Sequence, residues 1–198
     1  MLKMKTNLWA AKLSSMKLCA MIADYASMHA AGRQLRWCKF FVSKRGTNMP
    51  EFLETVVDKF TFKVAVDRSY NSEGVWALAV GSVVRVGLSD FLQQRSGDIA
   101  FAEILPVGKL LAVKDEIAAI ETIKVNIALS SPVAGKVIRT NPLMESAPET
   151  INQDPYGEGW LCEIEAADWE SDRKNLLDAA AYFAQMKREA ENEVKKNG

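Results

Sequence analysis

From residue 59 to residue 140 the apolar residues come in short runs, each closed by a turn former, and that spacing leaves little choice of fold. Residues 59–66 alternate apolar and polar for much of their length and end at Asp67, a strand signal. Asn71-Ser72-Glu73-Gly74 reads as a turn. The β-rich runs 75–80 and 82–86 are split by Gly81, which suits a hairpin. Ser89 is placed to cap a short helix through Gln94, with Gly97 ending it. A further strand is expected over 99–104, after which Pro106 and Gly108 punctuate. Over 110–140 short apolar runs are interrupted by Lys114-Asp115-Glu116, Lys124, Ser130-Ser131-Pro132 and Gly135. Many short strands at close spacing indicate a sandwich or barrel. From Asp168 the period changes: Leu176, Leu177, Ala180, Phe183, Ala184 and Met186 recur at helical spacing with charges between them. One amphipathic C-terminal helix is expected over about 168–194. The fold class is mainly β with flanking helices.

Charge divides the chain. The 25 basic and 25 acidic side chains cancel overall, yet residues 1–48 carry nine Lys/Arg against the single acid Asp24. Residues 49–198 carry the opposite excess, a net of −8. The expected organisation is a basic N-terminal extension, 1–48, and a compact, mostly β domain, 49–198. The extension has three readings. It is amphipathic and acid-poor like a mitochondrial transit peptide, although Lys outnumbers Arg. It is basic enough for an arm that meets nucleic acid or membrane. It also reads as upstream sequence from a misplaced start, since the codons of Lys44-Arg45-Gly46 can spell a ribosome-binding site ahead of Met49.

Several classes fall away on composition. With 198 residues and 48% apolar content the chain can bury a real core. No run of about 18 apolar residues offers a spanning helix, so no membrane role is expected. Cys19, Cys38 and Cys162 are too few and scattered for a disulfide scaffold or zinc finger. The single histidine, His29, lies outside 49–198, so no Ser-His-Asp or Cys-His pair can form there. Cys162, in an apolar run, is expected to be buried and inert. Trp9, Trp37, Phe40 and Phe41 in the basic arm mimic a nucleic-acid contact but lack a reader motif, so no nucleic-acid partner is expected.

The segment Ile120-Glu121-Thr122-Ile123-Lys124-Val125-Asn126-Ile127 sets one lysine between two short apolar runs, with Gly108 and Gly135 roughly symmetric about it. If the runs pair antiparallel, Lys124 falls at or beside the hairpin tip. Such a lysine is either a solvated turn residue or a handle for a modifying enzyme.

This segment, with Ser131-Pro132-Val133-Ala134-Gly135 eight residues on, resembles the lipoyl-lysine hairpin of the glycine cleavage system H-protein family. The family usually shows Glu-Ser-Val-Lys-Ala and then Ser-Pro-Val-Ser-Gly. Val86-Gly87-Leu88-Ser89-Asp90-Phe91, Gly97-Asp98-Ile99-Ala100-Phe101-Ala102-Glu103 and the string from Asn152 through Asp154-Pro155-Tyr156-Gly157-Glu158-Gly159-Trp160 to Leu161 agree in order and spacing. The resemblance spans about 59–190. It implies a lipoyl-domain-like barrel-sandwich hybrid and a carrier without catalysis of its own. It also implies lipoate in amide linkage to Lys124, with Glu121 either aiding recognition by a lipoyl transferase or ligase or standing as a solvated carboxylate. Gly157 and Gly159 would serve tight turns, and Tyr156 and Trp160 would pack the core. The implied partners are glycine decarboxylase (P protein), aminomethyltransferase (T protein) and dihydrolipoamide dehydrogenase (L protein). The implied location is cytoplasmic, or mitochondrial if 1–48 is a transit peptide.

The departures concern the arm's surroundings. The family's early His-Glu-Trp is here Gly74-Val75-Trp76, and the polar stretch after the lysine is Val125-Asn126-Ile127-Ala128. Lipoate-binding proteins of heterodisulfide-reductase-like sulfur oxidation resemble H proteins too, and a sulfur carrier for such a complex is the alternative reading. An unmodified binding module is the third.

Overall fold

In the computed structural model, residues 51–197 are described, and every structural statement here concerns those. The readings of residues 1–48 lie outside them.

The chain opens with a hairpin. Strand β1 (Phe52–Val57) pairs antiparallel with β2 (Phe60–Ala65), Val57 facing Phe60 across a two-residue turn. Asp58 takes the left-handed conformation there, φ 54°, a role a short polar side chain tolerates. The sequence reading placed a strand at 59–66 and missed its partner β1.

Two further sheets follow. The larger has the order β3 (Ser69–Tyr70), β4 (Val75–Val80), β5 (Val83–Leu88), β11 (Trp160–Ala166), β10 (Gly135–Thr140), β7 (Leu110–Leu111). The smaller has the order β6 (Ile99–Ile104), β8 (Glu116–Thr122), β9 (Asn126–Ser130). The expected β4–β5 hairpin forms, with Gly81 at φ 66° in its turn. Gly87 lies directly opposite Trp76, and a Cβ at that position would sit 2.5 Å from the indole Cζ2. A bare backbone is therefore what lets the ring lie flat on β5. Helix α1 (Asp90–Ser96) is capped as expected: Ser89 Oγ accepts from Leu92 N, and Gly97 closes the helix at φ 86°. It runs two residues past Gln94. Two short helices, α2 (Leu143–Ser146) and α3 (Thr150–Gln153), join β10 to β11.

Buried side chains form two clusters. Val84, Val86 and Leu88 of the larger sheet join Ile117 and Ile120 of the smaller in one, which makes the pair of sheets a sandwich. The second is aromatic. It joins Val57, Phe62 and Val64 of the first hairpin to Tyr70, Trp76, Phe91, Tyr156 and Trp160. Tyr70 and Tyr182 stack at 4.4 Å, nearly parallel. The guanidinium of Arg68 lies over both Trp76 (4.2 Å) and Tyr156 (5.1 Å), its side chain 5% exposed.

The single helix expected over 168–194 is corrected. Helix α4 (Trp169–Asp172) runs into a 3-10 turn, Arg173–Asn175, and the chain then extends. Leu177 and Tyr70 exchange two backbone hydrogen bonds of 2.8 Å, so Leu177 is spent on a β bridge. Helix α5 (Ala179–Asn197) begins only after Asp178, whose carboxylate accepts from Ala181 N at 2.8 Å. The apolar spacing runs through the break because Leu176 and Leu177 pack against the cores without being helical. No helix among the described residues is long and apolar enough to cross a membrane.

Candidate functional site

Strands β8 and β9 pair antiparallel, with Glu121 opposite Asn126 and Ile120 opposite Ile127. Ile123, Lys124 and Val125 form the tip, and Lys124 is exposed. The turn is held by one side chain. Thr122 Oγ1 accepts from Lys124 N (3.2 Å) and Val125 N (3.1 Å) and donates to Val125 O (3.0 Å), while Thr122 N also donates to Val125 O (3.0 Å). A hydroxyl in this position offers the backbone a local partner that stabilises a tight turn. The sequence reading passed over Thr122; its signal was a hydroxyl residue two before the lysine.

Ile123 is 83% exposed and Val125 49% exposed, so the lysine stands between two apolar side chains in water. Glu121 is exposed on β8 with Phe101 of β6 on its other side, and it makes no ion pair among the described residues. Pro132 lies at the foot of the hairpin, away from the lysine. There Ser131 N donates to Asp115 O (2.7 Å), Ser131 Oγ donates to Val133 O (2.7 Å), and Lys114 N donates to Ser131 O (2.9 Å). The two motifs read together in the sequence thus fix opposite ends of one hairpin.

Lys124 also lines a cleft of about 640 Å³, within the usual range for small-ligand sites of about 300–1,000 Å³. One wall is the β1–β2 turn, with Val57, Asp58, Lys59, Phe60 and Phe62. Another is α1, through Phe91, Gln94 and Arg95. The third is the end of α5, through Ala190, Glu193 and Val194. Arg95 packs over the Phe91 ring (5.1 Å) and reaches Glu189 (3.4 Å) and Glu193 (3.6 Å). The cleft therefore has a mixed lining, apolar and polar or charged side chains in equal number. It escaped the sequence reading because its walls come from four segments far apart in the chain.

The remaining candidates are structural. Tyr156 and Trp160 are buried in the aromatic cluster. Cys162 is fully buried, and burial first, then the neighbouring Glu163 carboxylate, pushes its thiol up to about 12, so it is no nucleophile at neutral pH. At Gly159 a Cβ would press on the backbone of Ile151 and Asp154, a close approach that requires glycine.

A β sandwich that offers a lysine at a braced hairpin tip, beside a cleft, has the layout of a lipoyl-type carrier domain. Comparison with known proteins specifies which. The sequence model described as "Glycine cleavage H-protein" matches residues 68–189. The "Probable glycine cleavage system H protein" of Natronomonas pharaonis is 43% identical over 126 residues, covering 64% of this chain and 98% of that one. The "Glycine cleavage system H protein" of Thermus thermophilus is 37% identical over 124 residues, 63% of this chain and 96% of that one. The crystal structure of a glycine cleavage system H protein from Mycobacterium marinum superposes with a TM-score of 0.56 at 29% identity, covering 62% of this chain and 98% of that one. This chain belongs to the glycine cleavage H-protein family. Members of that family are carrier subunits, not catalytic by themselves, and bear lipoate.

Proposed function

We propose that residues 49–198 form the lipoyl-carrier domain of a glycine cleavage system, with lipoate amide-linked to Lys124. The observation that carries this is the position of Lys124: alone at the tip of a hairpin whose turn is stapled by Thr122, exposed, and lining a cleft with apolar side chains on its β1–β2 wall. The residues present fit the group. Lys124 supplies the attachment nitrogen, and Val57, Phe60, Phe62 and Val194 offer apolar surface to its chain. When bound, the lipoyl group supplies a disulfide that opens to a carbon or sulfur nucleophile and can be reduced to a dithiol.

The rest of the work falls to the chain's own residues. Acylation removes the ammonium charge of Lys124, which lowers the cost of placing the arm on apolar surface. Thr122 fixes the direction in which the lysine leaves the sheet. Glu121, three residues before it and without an ion-pair partner among the described residues, serves recognition by a lipoyl transferase or ligase. In this reading the protein shuttles an aminomethyl group between glycine decarboxylase and aminomethyltransferase, and meets dihydrolipoamide dehydrogenase for reoxidation. The net −8 of residues 49–198 steers it to basic patches on those enzymes.

One observation favours a second reading. Ile123 and Val125 put bare apolar surface on both sides of the attachment point. That suits an enzyme mouth unlike the one the family's more polar tips meet, as in a sulfur carrier for a heterodisulfide-reductase-like complex.

Two measurements decide. Peptide mass spectrometry on protein from its own cells is expected to miss tryptic cleavage after Lys124 and to return 115–136 with one lipoyl group. A clean cut there throughout removes the carrier reading. With fully lipoylated protein and cognate glycine decarboxylase, glycine–bicarbonate exchange above that of free lipoamide supports the glycine cleavage reading, and its absence moves the assignment to the sulfur carrier.

A further inference from the structure

A second recess, of about 390 Å³, lies along the smaller sheet that carries Lys124, where β6 meets α2 and the turn that follows β6. Phe101 and Ile104 of β6, Pro106 and Val107 beyond it, and Met144 of α2 give it apolar surface. Its charges are Glu103 and Glu145, and no Lys or Arg lines it. Both carboxylates are exposed, and neither makes a hydrogen bond or an ion pair among the described residues. The walls are held from behind. Asn141 Nδ2 donates to Glu158 O (2.7 Å) and Trp160 O (2.6 Å) while its Oδ1 accepts from Leu143 N (3.1 Å), which fixes the entry to α2. Leu105 N donates to Ile117 O (3.0 Å) and Gly108 N to Val137 O (2.8 Å), which fixes the turn after β6. A recess set in this way loses little freedom when it is filled.

Phe101 is nevertheless 49% exposed and Val107 58% exposed. Uncovered apolar side chains around two carboxylates suit one kind of occupant, a cation on an apolar stem. Arginine fits better than lysine, since its planar head stacks on an aromatic face such as that of Phe101 and meets a carboxylate as a fork. Register ties the recess to the arm. Phe101 lies opposite Glu121 across the β6–β8 pairing. Lys124 follows three residues later, about 10 Å on at the rise of a strand. A protein that receives the arm is within reach of the recess in the same encounter.

We propose that the recess between β6 and α2 is a docking socket for an arginine on the surface of the enzyme that takes up the arm, with Phe101 stacked on it and Glu103 and Glu145 binding its charge. These three are recognition residues and take no part in chemistry. The inference rests on Lys124 bearing the arm and on glycine decarboxylase being the enzyme that takes it up.

The test uses full-length lipoylated protein, checked by mass, with cognate glycine decarboxylase. Kd is measured by interferometry, and glycine–bicarbonate exchange is followed against carrier concentration. Glu103→Gln combined with Glu145→Gln should raise Kd about tenfold, equivalent to about 1.4 kcal/mol. KM for the carrier should rise to match with kcat unchanged, the sign of binding lost without loss of chemistry. Added salt should narrow the gap between this variant and the parent, because what was removed is a charge attraction at the surface. Phe101→Ser should also raise KM. Glu165→Gln combined with Glu170→Gln removes the same charge from exposed positions outside the recess and should leave both constants within about twofold of the parent. Urea midpoints check that every variant is folded. Unchanged constants in the Glu103 and Glu145 variant, an equal loss in the Glu165 and Glu170 variant, or a fall in kcat with KM unchanged would each overturn the socket while leaving the carrier reading intact. No binding of the lipoylated parent would remove the glycine cleavage reading and the socket with it.

Discussion

Thr122 grips Val125 from both ends of the lysine turn: its hydroxyl accepts from Val125 N at 3.1 Å and donates to Val125 O at 3.0 Å, and Lys124 N donates to the same Thr122 Oγ1 at 3.2 Å. The lysine is thus held by a neighbour that never touches its side chain. Thr122→Val keeps the shape and removes the hydroxyl. A stability loss of about 0.5–1.5 kcal/mol is expected, since the freed amides at an exposed tip can turn to water. The larger effect should fall on lipoylation rate, because a loosened turn presents the lysine in many directions. Thr122→Ser should restore it. Urea titration and a time course of acyl transfer check both, and unchanged transfer in Thr122→Val would remove the positioning role.

Lys124→Arg should abolish loading outright while leaving the fold untouched. The side chain is exposed and lies outside both buried clusters. A guanidinium keeps the charge but offers no amine for amide formation. The expected result is loss of the lipoyl mass with a melting temperature within a degree or so of the parent, because surface changes away from special features stay within about 0.5 kcal/mol. Glu121→Gln should retain the fold and slow loading at limiting transferase; equal rates would leave Glu121 as a solvated carboxylate.

How much of this was legible in the sequence depended on whether one stretch of chain held the whole signal. The β8–β9 hairpin was legible because lysine, flanking runs and bounding glycines all fall within about thirty residues. Helix α1 was legible for the same reason, with Ser89 and Gly97 at its two ends. Strand β1 was not, since its turn uses Asp58 in the left-handed region without a glycine to announce it. The break before α5 was hidden because Leu176 and Leu177 continue the helical spacing, while the event that stops the helix is a bridge to Tyr70, more than a hundred residues away. Asp178, a second capping residue ten after Asp168, was the local cue. The cleft was beyond any local reading: the hairpin turn, α1, Lys124 and the end of α5 meet only once the aromatic cluster has formed.

Arg68 should be the most sensitive charged residue in the fold. Its guanidinium is buried between Trp76 and Tyr156, donates to Tyr156 O and to Asp67 Oδ1 (3.1 Å), and leaves Nη1 without a partner. Arg68→Lys is not conservative here, because an ammonium can neither lie flat on the rings nor reach both acceptors. A loss of about 2–4 kcal/mol is expected for Arg68→Lys and for Arg68→Ala. Arg68→Met, which keeps the apolar stem without a buried charge, should be milder. The order of the three urea midpoints checks the argument, and a Lys variant as stable as the parent would defeat it.

Alkaline pH should unfold this protein through its tyrosines. Tyr70, Tyr156 and Tyr182 are all buried, and their hydroxyls are engaged: Tyr70 donates to Ala65 O (2.8 Å), Tyr156 to Lys63 O (2.9 Å), and Tyr182 shares a hydrogen bond with Ser89 (2.7 Å). Burial holds the first two well above the ordinary phenol value and pushes Tyr182 up to about 12. In the unfolded chain these phenols ionise near 10, and the Cys162 thiol near 9, whereas the folded chain keeps all four neutral to higher pH. Protons are then held by the native state and released on unfolding, so this stabilisation is complete below about pH 9 and is lost as pH rises through 10 toward 12. Melting temperature should therefore be level with respect to these groups from pH 7 to 9 and fall steeply beyond 10. Phenolate absorbance should show the same three tyrosines silent until the fold is lost, then appearing together. Titration of all of them near pH 10 with the native circular dichroism intact would show that the aromatic cluster is open to water, contrary to the structure.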